Sequence, residues 1–555
     1  MNKGVIVVSV YLLLTLILGL SFRRRAGTSI REYYLAGSSI GGLLLFFTMS
    51  ATNFSAFTIF GLSGAGYRMG YSFYPVMGFG TGFMVLSFIL IGKRIRRLSE
   101  ADRSAGPPGN GETGGAGFLT PSDYISYRYG SKLLKLLISG VLVFFTLPYI
   151  AIQAVAAGRS LFSLTGIPYL VGAFIISLFV IFYVFSGGLR SIIWTDLIQA
   201  VMMIGFTFTS FIIISIKSGG FITIHEELLV QSPELFTRSG TGGLGPGIWF
   251  SYLLLWFFAD PMFPQLFQRF LAARDEKSLN VTIILYPLIT TWLFFLTISI
   301  GVMGQNVFPD LPAGQSDSIF PLLLRLHAGE LLGTILLTGS LAALMSTMDS
   351  QLLSISSLLQ RDFLPGKWKG SPAVGRMIVL ILGCTGFLIA VNPPAEILAF
   401  INKTTFNGLS VLTPAFIGGL YWKRAHWFGA VVSIIAGEIL VLLFFLGVFE
   451  VSGMLPVIPI LIVVISLFIL LSLAAPLLLS RHHRGTPVAE SVITFKFDYR
   501  LLFFLIPVAA GSDIWNWDKI PVNLFLGLPF WVWRYAALGI LLSLAYKYYL
   551  KRDSH

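Results

Sequence analysis

Leu341-Ala-Ala-Leu-Met-Ser-Thr-Met-Asp-Ser350 sets a carboxylate and three hydroxyls inside an apolar run, and the reading of the fold turns on that stretch. The run predicts a helix over 331–360, long enough to cross the hydrocarbon of a bilayer. A charge near the bilayer centre costs at least about 2.5–3.5 kcal/mol on insertion scales and is usually kept for a substrate or ion path. Ser346, Asp349 and Ser350 are spaced i, i+3, i+4 and share one helix face. Hydroxyls, a carboxylate and nearby carbonyls such as that of Ala343 are hard oxygen ligands, which suit Na⁺ by the logic of Ca²⁺ and Mg²⁺ sites. Hydroxyl bonding between packed helices is the alternative, and it is the better reading for Ser354, Ser356 and Ser357. Asn53 and Asp196 are polar in the same way inside other apolar stretches. The pattern is that of a membrane transporter.

Working outward, 55% of the 555 residues are hydrophobic and 11% charged, with a mean hydropathy of +0.82; a soluble domain is about 25% charged. Apolar runs such as 5–20, 170–185 and 458–479 each approach the span of a membrane helix. They predict an all-α integral membrane protein with about 13–15 transmembrane helices. The net charge of +13 does not point to nucleic acid, because the basic residues form no stripe and no recognised module. Segments 22–38, 93–135, 269–277, 361–376, 423–424, 481–500 and 547–552, with Arg190, hold 29 of the 38 Lys and Arg. That alternation puts the N-terminus outside and the C-terminus in the cytoplasm of a cell membrane. The first apolar run has no cleavage signal and is followed by Arg23–Arg25, as in a retained helix. The single Cys384 excludes an intramolecular disulfide. The six histidines (His225, His327, His426, His482, His483, His555) show no metal-ligand spacing, and no P-loop is present, so neither an enzyme nor an ATP-driven pump is expected.

Two of the expected helices are interrupted. In 39–62 the segment Ser50-Ala-Thr-Asn-Phe-Ser55 is small and polar; in 247–270 Asp260-Pro261 is followed by Pro264. Such breaks free backbone carbonyls inside the bilayer, which must find partners. Transporters use them at the midplane, in corresponding helices of two inverted repeats. The two helices begin two sets of five, 39–216 and 247–421. The stretch 101–117 reads as a flexible loop, 481–499 as a polar cytoplasmic linker, and 500–555 as an appended unit of two membrane helices.

Other candidates carry alternatives. Asp196 follows Trp194-Thr195 and reads either as a helix-start carboxylate or as part of an ion relay. Lys403, beside Thr404, Thr405 and Asn407, either snorkels to the outer interface or meets solute. Gln153 bonds a solute or a neighbouring helix. Trp249, Trp256 and Phe257 are gate aromatics or ordinary packing.

At these residues the chain strongly resembles the sodium:solute symporter family. Tyr183-Val-Phe-Ser-Gly-Gly-Leu-Arg-Ser191 with Trp194-Thr-Asp-Leu-Ile-Gln199 matches one signature, and Gly419-Leu-Tyr-Trp-Lys-Arg-Ala-His-Trp-Phe-Gly-Ala430, on to Ile439, matches a second. Met345-Ser-Thr-Met-Asp-Ser-Gln-Leu-Leu353 and Phe263-Pro-Gln-Leu-Phe-Gln-Arg-Phe-Leu-Ala272 also look like family segments. The resemblance covers about residues 1–480. It implies a LeuT-type 5+5 inverted repeat with an extra N-terminal helix and additional C-terminal helices, working by alternating access. It implies a sodium site made by the carbonyls of Ala51, Phe54 and Ala343 and the hydroxyls of Ser346 and Thr347. It also implies a second ion or proton site at Asp196, Ser346, Asp349 and Ser350, as in some members, where an Asp replaces a hydroxyl residue more typical of the members that bind a second ion. By the same resemblance, Asn53 faces solute or tunes the sodium site, and Ser55, Gln153, Trp256, Phe257, Lys403 and Asn407 are the further solute candidates. The tail, Phe503–Pro507 and Pro521–Trp533, resembles a small two-helix protein that accompanies symporters of monocarboxylates. The expectation is a sodium-coupled symporter of a monocarboxylate or amino-acid-like solute, monomeric or weakly oligomeric. A proton-coupled symporter or a membrane solute sensor is the alternative.

Overall fold

The fold is that of a computed structural model describing residues 3–22, 29–104, 117–392, 401–478 and 496–553. Arg23–Arg25, most of the 101–117 loop, the start of the expected 396–421 helix, His482, His483, His555 and most of the 481–499 linker lie outside the described residues. Among the described residues nine helices are long and apolar enough to cross a bilayer, and a bent pair, Gly42–Asn53 with Phe57–Phe73, makes ten. Tyr169–Lys217 has 49 residues, about 74 Å of helix at 1.5 Å per residue, more than two bilayer crossings. It divides at Gly188, whose φ of 54° belongs to the left-handed region and where a Cβ would stand 2.3 Å from the Tyr33 carbonyl oxygen; only glycine suits both demands. With Pro246–Ala259 and its continuation Pro264–Ala272, Phe406–Tyr421 and Phe530–Asp553, the described chain has fourteen candidate spanning segments, within the expected range.

The buried and exposed faces are those of a protein in lipid. Phe174, Leu178 and Phe182 recur every fourth residue and are each about half exposed, an apolar stripe for acyl chains rather than water. Gly329–Leu358 lies at the centre, with nearly all its side chains buried from Gly333 on. Helices approach closely where residues are small: at Gly301 a Cβ would stand 1.9 Å from the Ser63 carbonyl oxygen.

Ion pairs sort by end. At the Arg-rich end Arg190 pairs with Glu32, Arg97 with Glu276, Arg361 with Asp123 and Lys135 with Asp362. At the opposite end Arg68 pairs with Asp317, Lys3 with Glu330 and Arg534 with Asp513. Also at the Arg-rich end, Ile40 N–H donates to the Ala272 carbonyl and Arg274 N–H to that of Ile40. The start of the first interrupted helix is thereby tied to the end of the second.

The C-terminal helices are packed onto the rest. Phe530–Asp553 lies along Glu276–Val307, where Ser543 Oγ donates to the Ile284 carbonyl at 2.6 Å and Tyr546 OH to that of Phe83 at 3.2 Å. At the other end of the helix, Arg238 is 1% exposed. It donates to the carbonyls of Gly511 (2.5 Å) and Asp513 (3.0 Å) and to Tyr535 OH (2.5 Å), and lies 3.9 Å from the ring centroid of Trp517. Arg238→Ala should remove about 3–5 kcal/mol, the usual cost of stripping one member from a buried charged network. Its melting midpoint in detergent should fall well below that of an exposed control, Lys519→Ala; equal midpoints would show that the clamp does not hold the tail.

Candidate functional site

The first interrupted helix ends because Phe54 leaves the helical region (φ −89°, ψ 106°), and the chain restarts with a bend of 67°. Ser55 Oγ accepts from Phe57 N–H at 3.2 Å and caps the restart. In an unbroken helix the carbonyls of Ala51 and Thr52 would accept from the N–H groups of residues 55 and 56. Here Gly329–Leu358 supplies side-chain donors instead. Ser346 Oγ lies 2.9 Å from the Ala51 carbonyl and 3.0 Å from that of Ala343; Thr347 Oγ1 lies 3.0 Å from Ala343 O and 3.4 Å from Thr52 O. Four of the five oxygens expected at the sodium site are thus joined by these contacts, both hydroxyls meeting the Ala343 carbonyl and Ser346 also meeting that of Ala51. Phe54 is buried beside them, and the Thr52 carbonyl joins the group.

A second polar cluster lies one turn further along the same helix face. Thr52 Oγ1 and Ser350 Oγ are 3.0 Å apart. Ser350 Oγ donates to Asp349 Oδ1 at 2.9 Å, and Tyr183 OH donates to Asp349 Oδ2 at 2.7 Å. Asp196 is not a solvated helix-start carboxylate: it is fully buried, accepts from Thr48 Oγ1 at 2.5 Å and pairs with Arg269 Nη2 at 3.2 Å. The same Nη2 donates to Ser350 Oγ at 2.6 Å. Asp196 Oδ1 and Arg269 Nε are buried with no hydrogen-bond partner among the described residues. With both carboxylates ionised the cluster has two negative charges against one positive, an excess that favours one further cation in low dielectric.

The two breaks face each other. Pro264 cannot donate an N–H, and the residue before a proline is pushed to extended backbone; Phe263 obeys (φ −57°, ψ 124°) after the short turn Asp260–Met262. Asp260, 3% exposed in that turn, lies within electrostatic reach of the Asn53 amide of the other break. Asn53 donates to Tyr286 OH, and Tyr149 lies beside Ser55. Phe54 stacks on Tyr286 with ring centroids 5.8 Å apart. Trp256 meets Phe406 edge-on at 4.9 Å, next to Asn407. Trp256 Nε1, Gln153 Oε1 and Asn407 Oδ1 are buried polar atoms with no partner among the described residues.

The structure therefore brings Asn53, Ser55, Trp256 and Asn407 to the helix breaks or next to the aromatic wall, with Gln153 one helical turn beyond Tyr149. It does not bring Lys403 there: that side chain is exposed, and only its carbonyl takes part, accepting from Asn407 Nδ2 at 2.7 Å. A long lysine stem that can reach water does so. Phe257 packs on Phe83 and Phe258, and Trp249 on Trp517 and Tyr535 at the appended helices. Sequence reasoning missed Arg269, Thr48, Tyr183 and the Asp260 carboxylate as site residues. Arg269 and Tyr183 stood inside quoted motifs, and Thr48 lies one turn before Thr52, so the helical period would have found it.

A family model described as "Sodium:solute symporter family" matches residues 33–437. The sodium/pantothenate symporter of Escherichia coli strain K12 is 28% identical over 483 residues, covering 85% of this chain and 95% of that one. A sodium/proline symporter of Staphylococcus aureus strain COL is 27% identical over 456 residues, covering 79% of this chain and 85% of that one. A solved Na⁺-coupled sialic acid symporter in a substrate-bound outward-open state superposes with a TM-score of 0.70 at 21% identity, over 86% of this chain and 98% of that chain. A nucleobase-cation-symport-1 family transporter in a closed conformation gives 0.50 at 13% identity, over 81% and 96%. The shared architecture is the LeuT-type one.

Arg269→Ala should strand two buried carboxylates and cost about 3–5 kcal/mol. Adding Asp196→Asn to that variant should recover most of the loss. Thermal unfolding of the three proteins in detergent checks this; a double variant no more stable than the single would show that Arg269 acts by packing alone.

Proposed function

Because the chain belongs to the sodium:solute symporter family, and is a sodium-coupled symporter of a small organic solute, we propose that the oxygens of Ala51, Phe54, Ala343, Ser346 and Thr347 bind its coupling sodium ion. The observation that carries this is the pair of hydroxyls, Ser346 and Thr347, set against carbonyls that the broken helix leaves free. Each hydroxyl holds a carbonyl by a hydrogen bond; a sodium ion placed among them takes both as ligands and ties the broken helix to Gly329–Leu358. Asp196, Asp349, Ser346 and Ser350, with Arg269 as fixed counter-charge, form the second cation site. One observation favours a second reading of that ion: a proton neutralises the cluster's excess negative charge as well as Na⁺ does.

Solute binds between the two breaks, where Asn53 and Ser55 meet Trp256, Asn407 and Gln153, and its class is a monocarboxylate or an amino-acid-like molecule. The ion and the solute share the break at Phe54, so each favours the other's binding. Such coupling is worth about 1–3 kcal/mol and is reciprocal. The mechanism is transport without covalent chemistry: the bundle alternates between outward and inward access. The positive-inside pattern supports a plasma-membrane protein with the N-terminus outside and the Arg-rich end in the cytoplasm, acting as a monomer or weak oligomer. Residues 1–480 are the symporter domain, 481–499 its cytoplasmic linker and 500–555 an accessory unit.

Purified protein in proteoliposomes tests the reading with labelled pyruvate, lactate, acetate, proline, pantothenate and glucose, each under an inward Na⁺ gradient, an H⁺ gradient or neither. Saturable uptake of one solute under Na⁺ is expected. Ser346→Ala and Thr347→Ala should each raise the half-saturating sodium concentration about tenfold or more, as the loss of one ion ligand costs at least 1.4 kcal/mol. An unchanged sodium dependence in both variants would remove the assigned site, and uptake driven by H⁺ alone would move coupling to Asp196 and Asp349.

A further inference from the structure

The solute region holds a charge that a monocarboxylate reading does not use. Asp260 is 3% exposed, sits in the break of the second interrupted helix, and lies near the Asn53 amide of the first. Among the described residues the Asn53 amide is the polar side chain near its carboxylate, and no Lys, Arg or His pairs with it. A carboxylate can accept about four hydrogen bonds, and a buried one is normally paired, bound to a cation or protonated. Asp196 and Asp349 have Arg269; Asp123 and Asp362 have Lys135 and Arg361. Asp260 differs from all of them.

Its surroundings are aromatic. Tyr149 and Tyr286 both lie within electrostatic reach of the Asp260 carboxylate. Trp256 is one helical turn back on the same face, its carbonyl accepting from Asp260 N–H, and its indole N–H has no partner among the described residues. Phe54 stacks on Tyr286, and Phe263 packs between Tyr149 and Phe406. Aromatic faces around a buried negative charge form the surroundings that a cationic nitrogen prefers, by ion pairing and by attraction to the ring quadrupoles. The same surroundings repel a solute whose only charge is a carboxylate. Asn53 itself is only partly buried.

Resting on the symporter reading above, we propose that Asp260 is the solute's counter-charge and that the transported solute carries a protonated or quaternary nitrogen. That selects the amino-acid-like class over simple monocarboxylates. Asn53 orients the carboxylate, and Tyr149, Tyr286 and Trp256 wall the nitrogen.

The test is a binding measurement by titration calorimetry on the full purified chain in sodium buffer. It uses three matched pairs: L-proline against cyclopentanecarboxylate, L-alanine against L-lactate, and choline against 3,3-dimethylbutanol. Sodium-dependent binding is expected for at least one nitrogen-bearing probe, at least about tenfold tighter than its partner, the least that a lost charge pair of one pKa unit predicts. Asp260→Asn should abolish that preference. The rise in melting midpoint on adding Na⁺ without solute is read alongside, because it reports the ion site and should persist in Asp260→Asn. The inference is overturned if no nitrogen-bearing probe binds, if the deaminated partners bind as tightly, or if Asp260→Asn keeps the preference. Such a failure with Na⁺ stabilisation intact leaves the ion assignment standing, whereas loss of Na⁺ stabilisation in the parent protein sinks the symporter site itself.

Discussion

Inside a bilayer a backbone carbonyl without a hydrogen-bond donor costs several kcal/mol, because no water is there to take its place. That constraint organises this structure. The chain leaves helical geometry at Phe54 with neither proline nor glycine in the segment 50–56, so nothing local compels the break. What stabilises it is tertiary: Ser346 and Thr347 of the central helix reach the carbonyls it frees, and Ser55 caps the restart. The second break has the opposite origin. Pro261 and Pro264 make it locally obligatory, whatever surrounds them. One break is held by partners and is open to change when an ion takes the place of a hydroxyl's hydrogen bond at a carbonyl; the other is fixed in the covalent chain.

The same division appears in the charges. The Asp196, Arg269 and Asp349 cluster joins three elements: the helix after Gly188, the end of the second interrupted helix, and the central helix. Burying three charges is expensive, and an apolar replacement of similar shape would often be more stable. Their presence points to use rather than support. Because Arg269 touches both Asp196 and Ser350 through one nitrogen, any cation added beside Asp349 competes with it for the same oxygens. The fixed guanidinium therefore sets how strongly the cluster attracts a mobile ion.

Much of this was legible in the residues. Helix number, both interruptions and the hydroxyl face of the 331–360 segment follow from hydropathy, period and the placement of small and breaking residues. The four side chains the reading missed share one property: their roles depend on partners more than 60 positions away in sequence, as with Arg269 and Asp196. Periodicity places a residue on a face but does not say which distant face meets it. Lys403 shows the converse. Its neighbours Thr404, Thr405 and Asn407 are buried, yet its stem is long enough to carry the ammonium to the surface. Asp260 was legible as a helix breaker and illegible as a charge site, because only the fold shows that it faces Asn53 and has no cation of its own.

Asn53 links these strands. Its backbone follows directly on the carbonyls of Ala51 and Thr52, which face the ion-site hydroxyls, and its side chain donates to Tyr286 and lies near Asp260 across the second break. A change in how the ion-site carbonyls are held must pass through the peptide units on either side of Asn53 before it can be absorbed in the extended residues that follow. The other end of that lever is nearly immobile, since Asp260 sits in a turn fixed by two prolines and the Arg-rich ends of both broken helices are tied through Ile40, Ala272 and Arg274. Coupling between ion and solute then needs no long pathway. It needs only that one short segment, free to move, carry oxygens for the ion on its backbone and a hydrogen-bonding amide for the solute site on its side chain.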